Sequence, residues 1–363
     1  MKIRNDWSLK EIISLSFLKG LTYKRQRESV EKFKSLEDFT KNVYESNISF
    51  FGNISKQPIT NSEHLEKAEE QLEFCQKNDI NIITIWDENY PVLLKEISYP
   101  PTLLYVKGNL QPANSLSISV VGTRHCTSYG KLCAERFVKD FVANNIIITS
   151  GLAYGIDSVA HRACIKAEGI TYAVIASGLD KMQSNAKKLA DEIVNIGGAI
   201  ISEYPCGTTA HPGYFPQRNR IISGISNALL VVETALKGGS LISARFAQEQ
   251  NREVYAIPGA ITAEKSKGCN NLIYKNGATI AISAEEIMRD LGLIVEEKYE
   301  KEIIFDSDEE KMIYDLLASE PMNADTLQEK TQIKISELLV LLLEMEFKGK
   351  IQQMPGKLYI SIK

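Results

Sequence analysis

Apolar and polar positions divide the 363-residue chain into three rhythms. From about residue 6 to 60 the apolar residues recur at helical spacing. Leu9, Ile12, Ile13, Leu15 and Leu18 make one face, a second helix is predicted through Lys24–Phe33, and Leu36–Val43 begins a third. Ser62–Lys77 has the spacing of an acidic amphipathic helix. It leads into apolar strands at Ile80–Ile85 and Thr102–Val106, with Tyr90-Pro91 and Pro100-Pro101 between them as turns. From Leu116 short apolar runs alternate with helical stretches. The runs are Ser117–Val121, Ile146–Thr149, Thr171–Ala176, Ala199–Ser202, Ala228–Val232, Glu253–Ile257 and Ala278–Ile282. Strands that are apolar nearly throughout and separated by helices predict a parallel sheet covered on both faces. After residue 300 the rhythm changes again. Asp308–Ala318, Asn323–Thr331 and Ser336–Gly349 read as helices, and Lys350–Met354 and Lys357–Ile362 as a hairpin around Pro355-Gly356, which together predict a winged helix. The stretch Ile335–Lys348, in the position of a recognition helix, is mostly Leu, Glu and Met, with basic residues only near its ends. A DNA-reading helix carries phosphate and base partners along its exposed face, so a protein-contact or regulatory role is expected here.

The expected architecture is therefore α/β, an extended Rossmann-like parallel sheet with a helical domain before it and a winged-helix-like domain after it. The boundaries are 1–60 for the helical domain (of the SAM or helix-hairpin-helix kind), 61–295 for the sheet domain and 301–363 for the tail. The length fits about two or three domains. Charge is uneven. Residues 1–62 hold 11 Lys and Arg against 7 Asp and Glu, 114–290 hold 18 against 15, and 301–363 hold 8 against 12. The overall net charge of −4 argues against a histone-like polyanion binder and leaves room for a local basic site on the central region. There is no run of about 18 apolar residues and no apolar leader at the N-terminus, so no membrane span or signal peptide is expected. Six scattered cysteines without a C-x-x-C pair, and only four histidines, point to reduced cytoplasmic thiols and no metal site.

The unusual residues collect where strands should hand over to helices, the usual place for ligands on an open parallel sheet. Gly122, Thr123 and Arg124 follow the first regular strand, with Thr127 close behind. Ser150-Gly151-Leu-Ala-Tyr-Gly-Ile-Asp157 follows the second, and Lys237-Gly238-Gly239-Ser240 opens a later helix. Glycines let a backbone approach closely, hydroxyls and free helix N–H groups donate to anions, and arginine supplies charge. Between them Ala210–Ile222 reads as a loop leading into a helix around Arg220. It places Phe215, Arg218, Asn219 and Arg220 within six positions, and no carboxylate lies between Glu203 and Glu233. Two guanidiniums, an amide and a ring suit phosphates and unstacked bases; the alternative is that the arginines cap a helix or pair with distant carboxylates.

Glu203 and Glu233 are the candidates for acid or base chemistry, and Glu203 is equally a partner for one of the arginines. Asp157 and His161, four apart on a helix, read as a local packing pair rather than a catalytic one. No Gly-x-Gly-x-x-Gly follows the first strand of the alternating region, there is no P-loop, and Ser150 lies outside a Gly-x-Ser-x-Gly elbow, so no nucleotide cofactor and no nucleophilic serine are expected.

Taken together these segments resemble the DNA-processing protein A family, also called DprA or Smf. The resemblance rests on Val120-Val-Gly-Thr-Arg124 with Thr127 and Tyr129-Gly130, on Ser150–Asp157 with Ala160-His161, and on Ser202-Glu-Tyr-Pro205. It continues through Phe215-Pro-Gln-Arg-Asn-Arg-Ile-Ile222, Gly239–Ala244, Arg252-Glu-Val and Pro258-Gly259. It covers about residues 60–300. It implies an extended Rossmann fold that dimerises, binds single-stranded DNA without sequence preference, and loads the recombinase RecA onto incoming strands during natural transformation, with no enzymatic activity and no cofactor. Arg124 falls on the family's strand-gripping arginine, and Phe215, Arg218, Asn219 and Arg220 on its Phe-Pro-x-Arg-Asn-Arg signature. The chain departs from the family after Gly178-Leu-Asp180, where it reads Lys181-Met-Gln-Ser-Asn-Ala-Lys-Lys188 in place of a Tyr-Pro segment. Lys181, with Lys187 and Lys188 behind it, is the candidate to supply charge there. The expected DNA-binding set is then Gly122, Thr123, Arg124, Thr127, Gly151, Lys181, Phe215, Arg218, Asn219, Arg220, Gly238, Gly239 and Ser240. The rival from another class is a nucleoside-monophosphate hydrolase on a related Rossmann core. The Pro-Gly-Gly-x-Gly-Thr loop of such enzymes is not matched by Leu236-Lys-Gly-Gly-Ser-Leu241.

Overall fold

A computed structural model describes residues 6–18, 21–45, 62–293 and 305–362. Contacts divide the chain into two units, Met1–Val295 and Glu296–Lys363.

The first unit begins with α1 (Leu9–Ser16), α2 (Tyr23–Lys32) and α3 (Leu36–Glu45). Ser8 starts α1 with a reciprocal capping box, its side chain accepting from the Glu11 amide while Glu11 returns to the Ser8 amide at 2.7 Å. Helix α4 (Ser62–Lys77) then leads into β1 (Ile80–Thr84), the short α5 (Val92–Lys95) and β2 (Leu103–Gly108). The regular part follows: β3 (Ser117–Val121), α6 (Ser128–Ala143), β4 (Ile147–Ser150), α7 (Ile156–Lys166), β5 (Thr171–Val174), α8 (Ser184–Asn195) and β6 (Ala199–Ser202). It continues with α9 (Tyr214–Gly224), β7 (Ala228–Val231), α10 (Ser240–Glu249), β8 (Glu253–Ala256), α11 (Lys267–Tyr274), β9 (Thr279–Ile280) and α12 (Ala284–Asp290).

All nine strands form one sheet in the order β1-β2-β6-β5-β4-β3-β7-β8-β9. The seven strands from β6 to β9 are parallel, in keeping with their mostly apolar runs, whereas β1 and β2 are antiparallel additions at one edge. Alternation along the strands feeds two cores. On β3 and β7, Val121, Leu229 and Val231 face the side of α9 and α10, while Ile118, Val120 and Leu230 face Phe137, Val138 and Phe141 of α6. A third apolar cluster joins Trp7, Ile12, Ile13, Leu15 and Phe39 of the N-terminal segment to Cys75 of α4, to Leu103 and Tyr105 of β2, and to Ile200 of β6. The N-terminal helices thus share a core with the sheet. The expected boundary at residue 60 lies outside the described residues.

The order of strands reverses between β3, the first of the parallel set in the chain, and β7. The chain moves outward from β3 through β4, β5 and β6, then returns to β3's other side. That return is made by α9, and here the structure corrects the sequence reading: Phe215–Arg220 is not a loop but the first two turns of a helix. Pro216 sits in the first turn, where its missing N–H has no helical acceptor to lose. Buried Ser119 on β3 anchors this helix from below, its hydroxyl donating to the Ile222 carbonyl at 2.6 Å and lying 2.8 Å from the Ser226 hydroxyl.

The second unit contains α13 (Asp308–Ser319), β10 (Met322–Asn323), α14 (Ala324–Thr331), α15 (Ile335–Phe347), β11 (Ile351–Met354) and β12 (Leu358–Ser361), with strand order β10-β12-β11. This is the expected winged helix, with one further short strand. Ile313, Leu317, Leu327, Leu338, Leu342 and Met345 form its core. Buried Glu310 is held by Lys350 at 2.6 Å and Lys348 at 2.9 Å. Burial alone would raise its pKa, but the hydrogen bonds from the two lysines outweigh burial and bring it down to about 2. No helix among the described residues is long and apolar enough to cross a membrane.

Candidate nucleic-acid interface

The point of reversal between β3 and β7 opens, at the carboxyl ends of the strands, into a cleft of about 360 Å³. Its walls come from four segments: Gly122, Thr123 and Arg124 after β3; Ala153 and Asp157 after β4; Phe215, Pro216, Arg218 and Asn219 on α9; and Thr234–Ala235 with Gly238, Gly239 and Ser240 between β7 and α10. Nine of the thirteen residues expected to bind therefore meet at one place, though they are far apart in the chain.

Their surroundings differ. Arg124 is exposed, with no carboxylate within ion-pair distance among the described residues; its guanidinium carbon lies 5.7 Å from the Phe215 ring centroid. That pairing leaves the N–H fork available and holds the half-buried ring against the cleft wall. Ser240 begins α10 and is 7 % exposed, and its hydroxyl oxygen has no hydrogen-bond partner among the described residues. A buried, unsatisfied hydroxyl at a helix N-terminus facing a cleft is an unfilled donor to an anion.

Arg218 and Arg220 are different. Both are buried. Arg218 borders the cleft from behind, donating from Nη1 to the Gly151 carbonyl at 2.6 Å and also to the Val174 carbonyl. Burial brings its pKa down to about 10, opposed by the nearby Asp157 carboxylate. Asp157 in turn is raised by burial, with Arg218 pulling the other way. Arg220 does not border the cleft. Its Nη2 is 2.5 Å from Glu203 Oε2, and its guanidinium carbon lies 5.3 Å from the Tyr23 ring centroid of α2. Arg220 thus pairs with a carboxylate distant in sequence, while Arg218 binds two backbone carbonyls and still lines the cleft. The Gly151 carbonyl, at the end of β4, is one of those two. A Cβ on Gly151 would stand 2.6 Å from Arg218 Nη1 and 2.7 Å from Asp157 Oδ2, so this glycine makes room for the buried charges.

Two further expected residues stand outside the cleft. Thr127 caps α6, accepting from the Gly130 amide at 3.2 Å, and its own hydroxyl donates to Glu233 at 2.5 Å. Lys181 lies beyond β5, 3.6 Å from Asp180. Glu203 and Glu233, the acid–base candidates, are both buried and engaged, the first by Arg220 and the second by Thr127. His161 does not contact Asp157 through a hydrogen bond; its Nδ1 is 2.7 Å from Thr171 Oγ1, and burial, with Arg218 adding, pushes its pKa down to about 3. No group of three His, Cys, Asp or Glu suited to a metal occurs among the described residues.

The sequence reading missed Gly155 and Thr234. Gly155 has φ +90°, and a Cβ there would meet the Thr123 carbonyl at 2.3 Å, so only glycine lets α7 start directly beneath the Arg124 loop. Its place in a Gly-x-x-x-Gly turn was the available signal. Thr234 lines the cleft, and its amide and carbonyl are fixed by Lys265 and Gly268. Nothing in the sequence marks it except its position just after a strand.

A mostly parallel α/β sheet with a glycine-lined cleft at its point of reversal, and at the rim an exposed arginine with no ion pair among the described residues, defines a Rossmann-like protein. Comparison narrows this further, and the chain belongs to the DNA recombination-mediator protein A family, also called DprA or Smf. The family model matches residues 81–292, and the DprA winged helix domain matches 304–357. The chain is 36 % identical to protein Smf of Escherichia coli over 300 residues, 80 % of each chain, and 40 % identical to DNA processing protein DprA of Bacillus subtilis over 60 % of this chain and 73 % of that one. Its structure superimposes on the X-ray structure of DprA from Streptococcus pneumoniae with a TM-score of 0.62, at 32 % identity and covering 78 % of this chain and 98 % of the other. It also matches DprA from Helicobacter pylori, a structure described for its single-stranded DNA binding mode, with a TM-score of 0.53, 27 % identity and coverage of 59 % and 97 %.

Proposed function

We infer that the protein is a non-catalytic, cytoplasmic mediator of recombination that holds single-stranded DNA across the cleft between β3 and β7. Arg124 carries this reading. It is a cation at the rim of a glycine-lined cleft with no carboxylate among the described residues to satisfy it, and beside it is an aromatic ring on which a base can stack. Gly122, Gly238 and Gly239 let a phosphate reach the backbone, Ser240 and Thr123 offer hydroxyls, and Asn219 an amide. Arg218 and Arg220 support the site from within, and Lys181 extends its charge toward β5. The single-stranded DNA binding mode described for the Helicobacter pylori relative supports the same ligand.

In this reading the bound strand is protected and passed to the recombinase RecA during natural transformation, a role that the family's name as a recombination mediator supports. The working form is a homodimer. The short β9 leaves the sheet with an open edge carrying Ile280, 43 % exposed, beside Ile282 and Tyr274, a surface that calls for cover. The engagement of Glu203 and Glu233 weighs against the hydrolase alternative.

The test is an anisotropy titration with single-stranded and duplex oligonucleotides of equal length, at low and high salt. Sequence-independent binding to the single strand, much weaker for duplex and falling with salt, is expected. Equal affinity for both forms, or none for either, overturns the reading.

A further inference from the structure

Outside the cleft lining, around the start of α9, three rings form a pile that the site as described does not use. Tyr204, just after β6, is buried at 7 % exposure. Tyr214, the first residue of α9, is half-buried and stacks on it, with ring centroids 4.4 Å apart and planes 24° from parallel. His211 is exposed and leans on Tyr214 at 5.4 Å and 58°. The pile thus runs from the interior to solvent and ends in an aromatic face that no described protein ring covers.

The pile is also held rigidly. The Tyr204 hydroxyl is 3.4 Å from Gln217 Oε1 one turn along α9. His211 is fixed by a tight turn, its carbonyl accepting from the Tyr214 amide at 2.9 Å and its Nδ1 accepting from the Gly213 amide at 3.2 Å. Behind it, the loops after β5 and β6 are tied by the Gly178 amide to the Thr208 carbonyl and by the Gly207 amide to Asp180 at 2.7 Å. Phe215, next in the chain to Tyr214, turns instead toward Arg124. Neighbouring residues on one helical turn therefore carry two rings in different directions, Phe215 lining the cleft and Tyr214 standing outside its lining. The loop after β6 that carries Tyr204 is tied to Asp180, next to Lys181.

We propose that the Tyr204–Tyr214–His211 pile is a second base-stacking site, taking a nucleobase of the same strand beyond the one at Phe215 and leading the strand from the cleft toward the β5 edge. The proposal rests on the single-strand reading of the cleft. Stacking on an exposed ring is tolerant of sequence because every base has a π-face, and its loss costs roughly five- to hundredfold in affinity per base. A pile already braced from beneath loses little freedom when a base joins it.

The test uses the full chain, an oligothymidylate, and the same oligonucleotide with abasic sites in alternate positions, both read by anisotropy. His211→Ala, on an exposed residue, and Tyr214→Leu are expected to weaken oligothymidylate binding about fivefold each and to reduce the preference for the base-bearing strand. Tyr214→Phe, which keeps the ring, should bind as the unmodified protein does. If Phe215→Ala, which removes the ring in the cleft, binds oligothymidylate more weakly than the unmodified protein while His211→Ala and Tyr214→Leu match it on both oligonucleotides, the pile is packing only and the proposal fails. If the unmodified protein binds neither oligonucleotide, the single-strand reading itself fails, and this one with it.

Discussion

The loop after β3 and the first two turns of α9 both bring arginine to the carboxyl edge of the sheet, yet they use it in opposite ways. Arg124 is exposed and leans on Phe215, with its N–H groups turned outward. Arg218 and Arg220 are buried and direct part of theirs to the Gly151 and Val174 carbonyls and to Glu203, while Arg218 Nε and Arg220 Nη1 have no partner among the described residues. The three arginines thus divide into one exposed side chain and two buried ones. A motif match reports that residues occur together; burial separates the ones open to solvent from the ones built into the fold.

The comparison can be broken at its strong end first. Arg220→Ala leaves the Glu203 carboxylate buried without its cation and should destabilise the α/β unit by about 3–5 kcal/mol, measured by urea unfolding. A change below about 1 kcal/mol would show that Arg220 does not support the fold. Arg124→Ala should do the reverse. Unfolding should move by no more than about 0.5 kcal/mol, the usual range for surface changes, while single-strand affinity falls by about 1.5–3 kcal/mol, as expected when a charged hydrogen bond is removed.

The salt dependence sharpens the same contrast. Removing one phosphate neutralisation on a single strand should flatten the plot of log affinity against log salt by about 0.7. Arg124→Ala is expected to flatten it by that amount, and a folded Arg218→Lys variant to leave it unchanged. The smallest effect is at Ser240. Its hydroxyl has no partner among the described residues, so Ser240→Ala should leave stability within about 0.5 kcal/mol and weaken oligonucleotide binding by about 0.5–1.5 kcal/mol.

The winged-helix unit, a separate compact unit, supplies an independent control. The folded pKa of Glu310 lies below that of a free carboxyl group, so its stabilising effect is complete above about pH 4.5 and disappears as pH falls toward 2. Acid titration of the Glu310→Gln variant should lack that part of the loss.

Much of this architecture is legible in the order of residues. The parallel strands announce themselves because both faces are buried, so Ala228–Val231 runs without a polar residue. The glycine loops are legible for a related reason, since close strand-to-helix turns admit little else. Helix α9 is hidden because buried Arg218 and Arg220 occupy its inward face, where periodicity looks for apolar residues, and Pro216 in its first turn reads as a breaker. The antiparallel edge made by β1 and β2 is hidden because alternation carries no strand direction. The roles of Thr127 and Glu233 depend on a contact across 106 positions of chain, which no local pattern contains.

The ring of Tyr23 over Arg220 has a thermodynamic consequence. It places α2 in direct contact with the helix whose first turns border the cleft. Any coupling carried by this contact is reciprocal: if releasing the N-terminal helices changes affinity at the cleft, occupation of the cleft changes their docking by the same free energy. Amide hydrogen exchange along α2, far ahead of α9 in the chain, measured with and without oligonucleotide, tests whether the contact carries it.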